Sequence, residues 1–156
     1  MENQKKACCV FGHREITGKD ELKIKLREVI ENLIVCENVD TFYLGSKSQF
    51  DSLCCEVLAE EKKKYPHIER VYVRGEFPDI NDNYEKYLLE GCERTYFPQK
   101  ARNSGRAVYV IRNCEMIDNS DICLVYFKSD YKKPKSGTEI AYKYALRKKR
   151  KIINLA

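Results

Sequence analysis

Lys6-Ala7-Cys8-Cys9-Val10-Phe11-Gly12-His13-Arg14 is the stretch on which the fold turns. Its apolar run, Ala7 to Phe11, does not alternate with polar residues. A strand with one wet face alternates; a strand covered on both faces reads as a continuous apolar run. Gly12 ends the run, and a charged pair follows. A buried strand that stops at a glycine and passes into a helix is the opening of a parallel α/β sheet.

The rest of the chain repeats that pattern. Asp20 is expected to cap a helix whose Leu22, Leu26, Val29, Ile30 and Leu33 form one apolar stripe at helical spacing, ending near Cys36. Thr41 to Leu44 is a second strand, closed by Gly45. A second helix with Phe50, Leu53, Cys54, Val57 and Leu58 on one face runs to Tyr65-Pro66. Arg70 to Val73 is a third strand. Gly75 to Arg106 is the least regular part, with one short helix near Tyr84 to Leu89. A helix from Tyr109 to about Asn119 leads into a fourth strand, Ile122 to Phe127; a helix from about Gly137 to Lys148 leads into a terminal strand, Lys151 to Asn154. Strands alternating with helices pair in parallel through right-handed crossovers, which predicts an α/β, three-layer, Rossmann-like doubly wound and mainly parallel sheet. At 156 residues it is read as one domain, residues 1–156.

Composition narrows the class. Hydrophobic residues are 43% and charged residues 34%, the balance of a folded chain rather than a disordered one. No apolar run approaches the roughly 20 residues of a membrane span, and Met1 to Lys6 leads into a strand instead of a signal peptide, so a cytoplasmic protein without membrane contact is expected. The eight cysteines include the adjacent pairs Cys8-Cys9 and Cys54-Cys55 and no Cys-x-x-Cys. Reduced, buried thiols are therefore expected, with no metal site and no resident cofactor. The net charge of +5 gathers in Lys62-Lys63-Lys64 and in Arg147 to Lys151, where two helices end. Cations complement the negative end of a helix dipole, so these runs are read as helix ends and nucleic acid as an unlikely partner.

A doubly wound sheet binds ligands beyond the carboxyl ends of its strands. Three loops fall there: Gly12-His13-Arg14, Gly45 to Asp51, and Ser136-Gly137-Thr138-Glu139. Glycine permits close backbone approach, and N–H groups at a helix start, aided by the dipole, receive phosphate. Gly45-Ser46-Lys47-Ser48 and Ser136-Gly137-Thr138 both have that form, and neither is a Walker A loop or a Gly-x-Gly-x-x-Gly turn. Arg14 suits phosphate or carboxylate through its forked guanidinium, and His13 stands beside it. The expected ligand-binding residues are thus Gly12, His13, Arg14, Gly45, Ser46, Lys47, Asp51, Ser136, Gly137 and Thr138. Arg112 and Glu115, three apart on a helix, can form an intrahelical ion pair. Asp51 and Glu139 read equally as first-turn anions of their helices. With two histidines in the chain, a Ser-His-Asp triad is not expected.

These residues resemble the SLOG superfamily of Rossmann-like proteins, which includes the DNA-processing DprA proteins and the "lonely guy" phosphoribohydrolases. The resemblance covers most of the chain and is nearest to the bacterial YpsA-like branch. It is carried by Cys9-Val10-Phe11-Gly12-His13-Arg14, by Gly45 through Phe50-Asp51, and by Ile117-Asp118-Asn119-Ser120-Asp121 leading to Ser136-Gly137-Thr138. It implies a nucleotide or nucleotide-derived ligand over the helix start at Ser136-Gly137-Thr138, and on resemblance alone a homodimer. Arg112 with Glu115-Met116 looks similar to the arginine and Glu-Met pair of the phosphoribohydrolases. Those enzymes also carry Pro-Gly-Gly-x-Gly-Thr-x-x-Glu; this chain reads Pro134-Lys135-Ser136-Gly137-Thr138-Glu139-Ile140-Ala141, with Ala141 at the place of their catalytic glutamate. Glu139 lies two positions earlier, about 200° around a helix.

Three functional readings follow. The first is a nucleotide-binding protein, a sensor or sequestering module for an NAD- or ADP-ribose-like ligand. The alternative is an N-glycosidic hydrolase of nucleoside monophosphates, with Arg112, Glu139 and Asp51 as the catalytic candidates. Single-stranded nucleic-acid binding ranks third.

Overall fold

The structure, a computed structural model, describes residues 4–130 and 136–156. Among these, six strands form one sheet in which every neighbouring pair is parallel: β1 (Lys6–Gly12), β2 (Val39–Leu44), β3 (Glu69–Val73), β4 (Arg94–Tyr96), β5 (Ile122–Tyr126) and β6 (Lys151–Asn154). Their order is β4-β3-β2-β1-β5-β6. The chain winds outward from β1 in one direction as far as β4. It then returns to the other side of β1 with β5.

The continuous apolar run of β1 has the cause its sequence suggested. Cys8 and Val10 face the cluster that includes Phe42, Leu124 and the buried residues of α1 (Lys19–Val35) and α2 (Gln49–Lys64). Cys9 and Phe11 face the opposite cluster, with Val71, Val125, Met116 of α4 (Val108–Asp118) and Ala141 of α5 (Gly137–Arg147). Successive side chains of a strand point to opposite faces, so a central strand between two helical layers is apolar at every position. Here α1 packs beside α2 on one face and α4 beside α5 on the other, which completes three layers.

Two local expectations are corrected. The helix near Tyr84 to Leu89 is α3 (Asp82–Leu88), and it is followed by β4, a strand absent from the sequence reading. Three residues are too few to show a period of two. Its place is set by long-range bonds instead: the Arg74 N–H donates to the Tyr96 carbonyl at 2.8 Å, the Thr95 hydroxyl to the Tyr72 carbonyl at 2.8 Å, and the Arg70 guanidinium to Glu93 at 2.7 Å. At the start of α1 the cap is Gly18, at φ 61°, and Asp20 lies within the first turn. A left-handed residue there favours glycine over aspartate.

The basic runs sit at helix ends. Lys62, Lys63 and Lys64 form the last turn of α2, with the Lys62 ammonium donating to the Pro66 and Ile68 carbonyls at 2.6 Å each. Arg150 donates to the carbonyls of Ile117 (3.1 Å) and Asp118 (3.2 Å) at the end of α4, where the Ile117 carbonyl also accepts the Ser120 N–H at 3.1 Å. Cys8, Cys9, Cys54, Cys92 and Cys123 are buried free thiols, and burial pushes the Cys8 thiol far up. No described helix is long and apolar enough to cross a membrane.

Candidate nucleotide cleft

The strand order reverses direction between β1 and β5, and the loops leaving these two strands therefore diverge. In open α/β sheets the crevice between them is the ligand site. A cleft of about 440 Å³ lies there. Gly12, His13, Arg14, Gly45, Ser46, Lys47, Arg112, Ser136, Gly137 and Thr138 all line it, so three loops far apart in sequence meet at one sheet edge. Asp51 and Glu139 are not among its lining residues.

The reason differs for the two carboxylates. Asp51 is buried beneath the loop after β2, where its carboxylate accepts the Ser46 N–H at 3.1 Å and the Ser48 hydroxyl at 3.0 Å. In return the Asp51 N–H donates to the Ser48 hydroxyl at 3.0 Å, which makes Ser48 the cap of α2. Burial raises the Asp51 carboxyl above its ordinary value, and the bonds from Ser46 and Ser48 oppose that rise. Glu139 instead pairs along its own helix with Lys143, at 3.3 Å.

This distinguishes two loops that look alike in sequence. After β2 three backbone donors are engaged within the protein: Ser46 N–H by Asp51, Ser48 N–H by the Ser46 hydroxyl at 3.2 Å, and Gln49 N–H by the Arg14 carbonyl at 2.9 Å. At the start of α5, Ser136 caps the helix by accepting the Glu139 N–H at 3.1 Å. The N–H groups of Gly137 and Thr138 have no protein acceptor among the described residues. Of the two helix starts, α5 is the one with two successive donors, those of Gly137 and Thr138, open to an anion among the described residues.

Arg112 is buried on α4 and bonded across the fold as well as to its helix neighbour Asn113. Its guanidinium donates to the Gly45 carbonyl and, at 3.2 and 3.3 Å, to the Asn113 side chain, and it lies over the Tyr109 ring at 5.3 Å. Burial lowers its pKa, and the Asp51 charge works against that. The intrahelical pair with Glu115 is thus corrected: Glu115 faces Tyr96, whose phenol is raised by burial and by the Glu115 charge. The glycines around Arg112 are there for it. A Cβ on Gly75 would come within 2.7 Å of the Arg112 guanidinium and 2.8 Å of the Tyr109 ring; one on Gly45 would meet Met116 at 2.9 Å and Arg112 at 3.0 Å.

His13 joins the two diverging strands. Its N–H donates to the Tyr126 carbonyl at 3.1 Å, and its Nε2 accepts the Lys128 N–H at 2.9 Å. Burial lowers the His13 pKa, so at neutral pH the ring is the uncharged tautomer with its proton on Nδ1. Arg14 beside it is exposed at the cleft.

Tyr72, Gly75, Glu76, Tyr109 and Asn113 also line the cleft, and sequence reasoning did not assign them to it. One signal was present. Gly75 follows β3 closely, as Gly45 follows β2, so the same strand-end glycine rule reaches it. The Tyr109 hydroxyl donates to Glu76 at 3.0 Å, and the Lys47 ammonium lies 3.7 Å from the other Glu76 oxygen.

No family profile matches the chain. No curated protein matches it by sequence. Among solved structures it is similar to DNA processing protein A from Helicobacter pylori, a protein described for its single-stranded DNA binding mode. The TM-score is 0.60 at 16% identity, over 95% of this chain and 64% of that one, so this chain spans just under two thirds of that protein's length. This overturns the expectation that nucleic acid is an unlikely partner. That expectation rested on the helix-end role of the basic runs, yet a protein of this fold binds single-stranded DNA, and the exclusion is withdrawn. At this identity the likeness is one of fold: the chain is an α/β protein with an all-parallel Rossmann-like sheet, an architecture it shares with DNA processing protein A.

Proposed function

We propose that the chain binds a nucleotide or nucleotide-derived ligand in the cleft between the ends of β1 and β5, with an anionic group on the start of α5. The observation that carries this reading is the pair of N–H groups of Gly137 and Thr138, without protein acceptors among the described residues, in the cleft that Arg14 also lines. Two N–H donors, a helix dipole and a guanidinium in one cleft are the chemistry of a phosphate site. Binding as a sensor or sequestering module is favoured over N-glycosidic hydrolysis, because Asp51 and Glu139 lie off the cleft and Ala141 is buried. The YpsA-like resemblance, a cytoplasmic location, a homodimer and a single domain over 1–156 belong to the same proposal.

The test is mass spectrometry of small molecules released from the purified, denatured protein, followed by titration of whatever is found. A nucleotide released in near-stoichiometric amount supports the reading. No released nucleotide, and no heat of binding from a panel of mono- and dinucleotides, would overturn it.

A second reading is single-stranded nucleic acid, favoured by the fold shared with a single-stranded-DNA-binding protein. A strand offers the same phosphate and base chemistry in repeat. Titration with oligonucleotides at rising salt separates the two: a strand neutralised at several phosphates loses affinity with a slope of about 0.7 per contact, and a mononucleotide shows at most a slope near one.

A further inference from the structure

We infer that the end of the cleft beyond β3 is a base subsite in which Glu76 selects a guanine-type edge; this rests on the nucleotide reading above. Glu76 is the one carboxylate among the described residues that line the cleft. It is also positioned. The Tyr109 hydroxyl donates to its Oε1 at 3.0 Å, and the Lys47 ammonium stands 3.7 Å from its Oε2 with both side chains largely exposed. An exposed pair at that distance is weak, and a carboxylate offers about four lone-pair sites, so acceptors remain for a ligand. Tyr72 and Tyr109 line the same end and bring aromatic surface, the usual companion of a bound base.

The sheet sets the separation. Glu76 follows β3 and the α5 start follows β5, with β2 and β1 between them. Three strand spacings amount to about 14 Å, shortened by the side chains that reach inward. A nucleoside monophosphate laid across the strand tips thus has its phosphate on α5 and the far edge of its base toward Glu76. A carboxylate only accepts hydrogen bonds. Guanine offers a ring N–H beside an exocyclic amine, two donors side by side, whereas adenine sets an acceptor nitrogen next to its amine and repels the carboxylate there.

The experiment is isothermal titration of the full chain with guanosine, inosine and adenosine 5′-monophosphates. Guanosine monophosphate is expected to bind at least tenfold more tightly than adenosine monophosphate, with inosine monophosphate, which keeps the ring N–H and lacks the amine, between them. Glu76→Gln replaces two acceptors by one acceptor and one donor, the complement of an adenine edge, so it narrows or reverses the ratio. A wild-type chain that binds both nucleotides equally, or a ratio unchanged in Glu76→Gln, overturns the base subsite and leaves the nucleotide reading standing. No binding of any of the three overturns the base subsite, and the nucleotide reading falls with it only when the released-ligand and dinucleotide tests above also fail. The wild-type ratio needs no variant, and the half-exposed Glu76 makes Glu76→Gln a folded control that a melting curve verifies.

Discussion

The Asp51 carboxylate accepts the backbone N–H of Ser46 at 3.1 Å, closing the loop after β2 on itself from within α2. An anion supplied by the protein stands where the dipole of α2 would otherwise favour a phosphate. The loop Gly45-Ser46-Lys47-Ser48 thus engages its Ser46 and Ser48 N–H groups inside the protein, which is why the proposed anion is placed on α5.

That arrangement makes Asp51 a structural residue first. Asp51→Ala leaves the Ser46 N–H and Ser48 hydroxyl without their acceptor and should cost about 1–3 kcal/mol of stability. Asp51→Asn keeps an acceptor oxygen and sheds a buried charge, so its unfolding free energy should lie within about 1 kcal/mol of wild type. The reverse order in urea unfolding would contradict the network.

His13 sets a pH dependence of definite sign. Its pKa is lowered by burial, so the unfolded chain binds more protons than the folded one below the ordinary histidine value of 6.5. Its contribution to stability is complete above that value and is lost as pH falls through the lowered folded pKa. Protonation also removes the acceptor of the Lys128 N–H. Urea midpoints measured from pH 7.5 down to pH 5 should fall more steeply for wild type than for His13→Gln, which keeps an acceptor and has no such titration.

Two glycines of the cleft should answer oppositely to alanine. A Cβ on Gly12 would lie 2.6 Å from the fully buried Phe50 ring, so Gly12→Ala should destabilise by about 1–3 kcal/mol. A Cβ on Gly137 meets nothing within 4 Å among the described residues. Gly137→Ala should hold or raise the melting temperature, since alanine is the better helix former by up to about 1 kcal/mol, while it weakens ligand binding by crowding the anion. Calorimetry on both variants checks the pair.

Arg14 and Thr138 can be ranked. Arg14→Ala should weaken ligand binding by about 1.5–3 kcal/mol through loss of a charge-assisted bond, with the fold unaffected because the side chain is exposed. Thr138→Ala should cost only about 0.5–1.5 kcal/mol, since the backbone donors of α5 stay in place. Titration of the released ligand against both variants should reproduce that order.

Arg150→Ala should cost about 1–2 kcal/mol in stability, because it removes the guanidinium bonds to the Ile117 and Asp118 carbonyls at the end of α4. The change should leave nucleotide affinity as it was. Thermal unfolding and titration together test the helix-end role of this run.

What was legible in the sequence was whatever a short window encodes. The unbroken apolar run of β1, the helical stripe from Leu22 to Leu33 and the strand-ending glycines Gly12 and Gly45 are local signals, and each landed in its element because strand and helix periods are properties of neighbouring residues. The layered α/β architecture and the meeting of three loops at one edge follow from that order of elements. Other features were decided only when the sheet assembled. The three residues of β4 carry no period of their own and take their place from Tyr72 and Arg74 of the neighbouring chain segment. Arg112 has Glu115 within reach along its helix yet bonds to Gly45, 67 residues away, because packing α4 against the sheet buries the guanidinium beneath the loop after β2. The same packing drew Asp51 inward and left Glu76 on the cleft wall, since the partner of a buried polar group is whichever acceptor or donor the tertiary contacts bring to it, and no spacing along the chain encodes that.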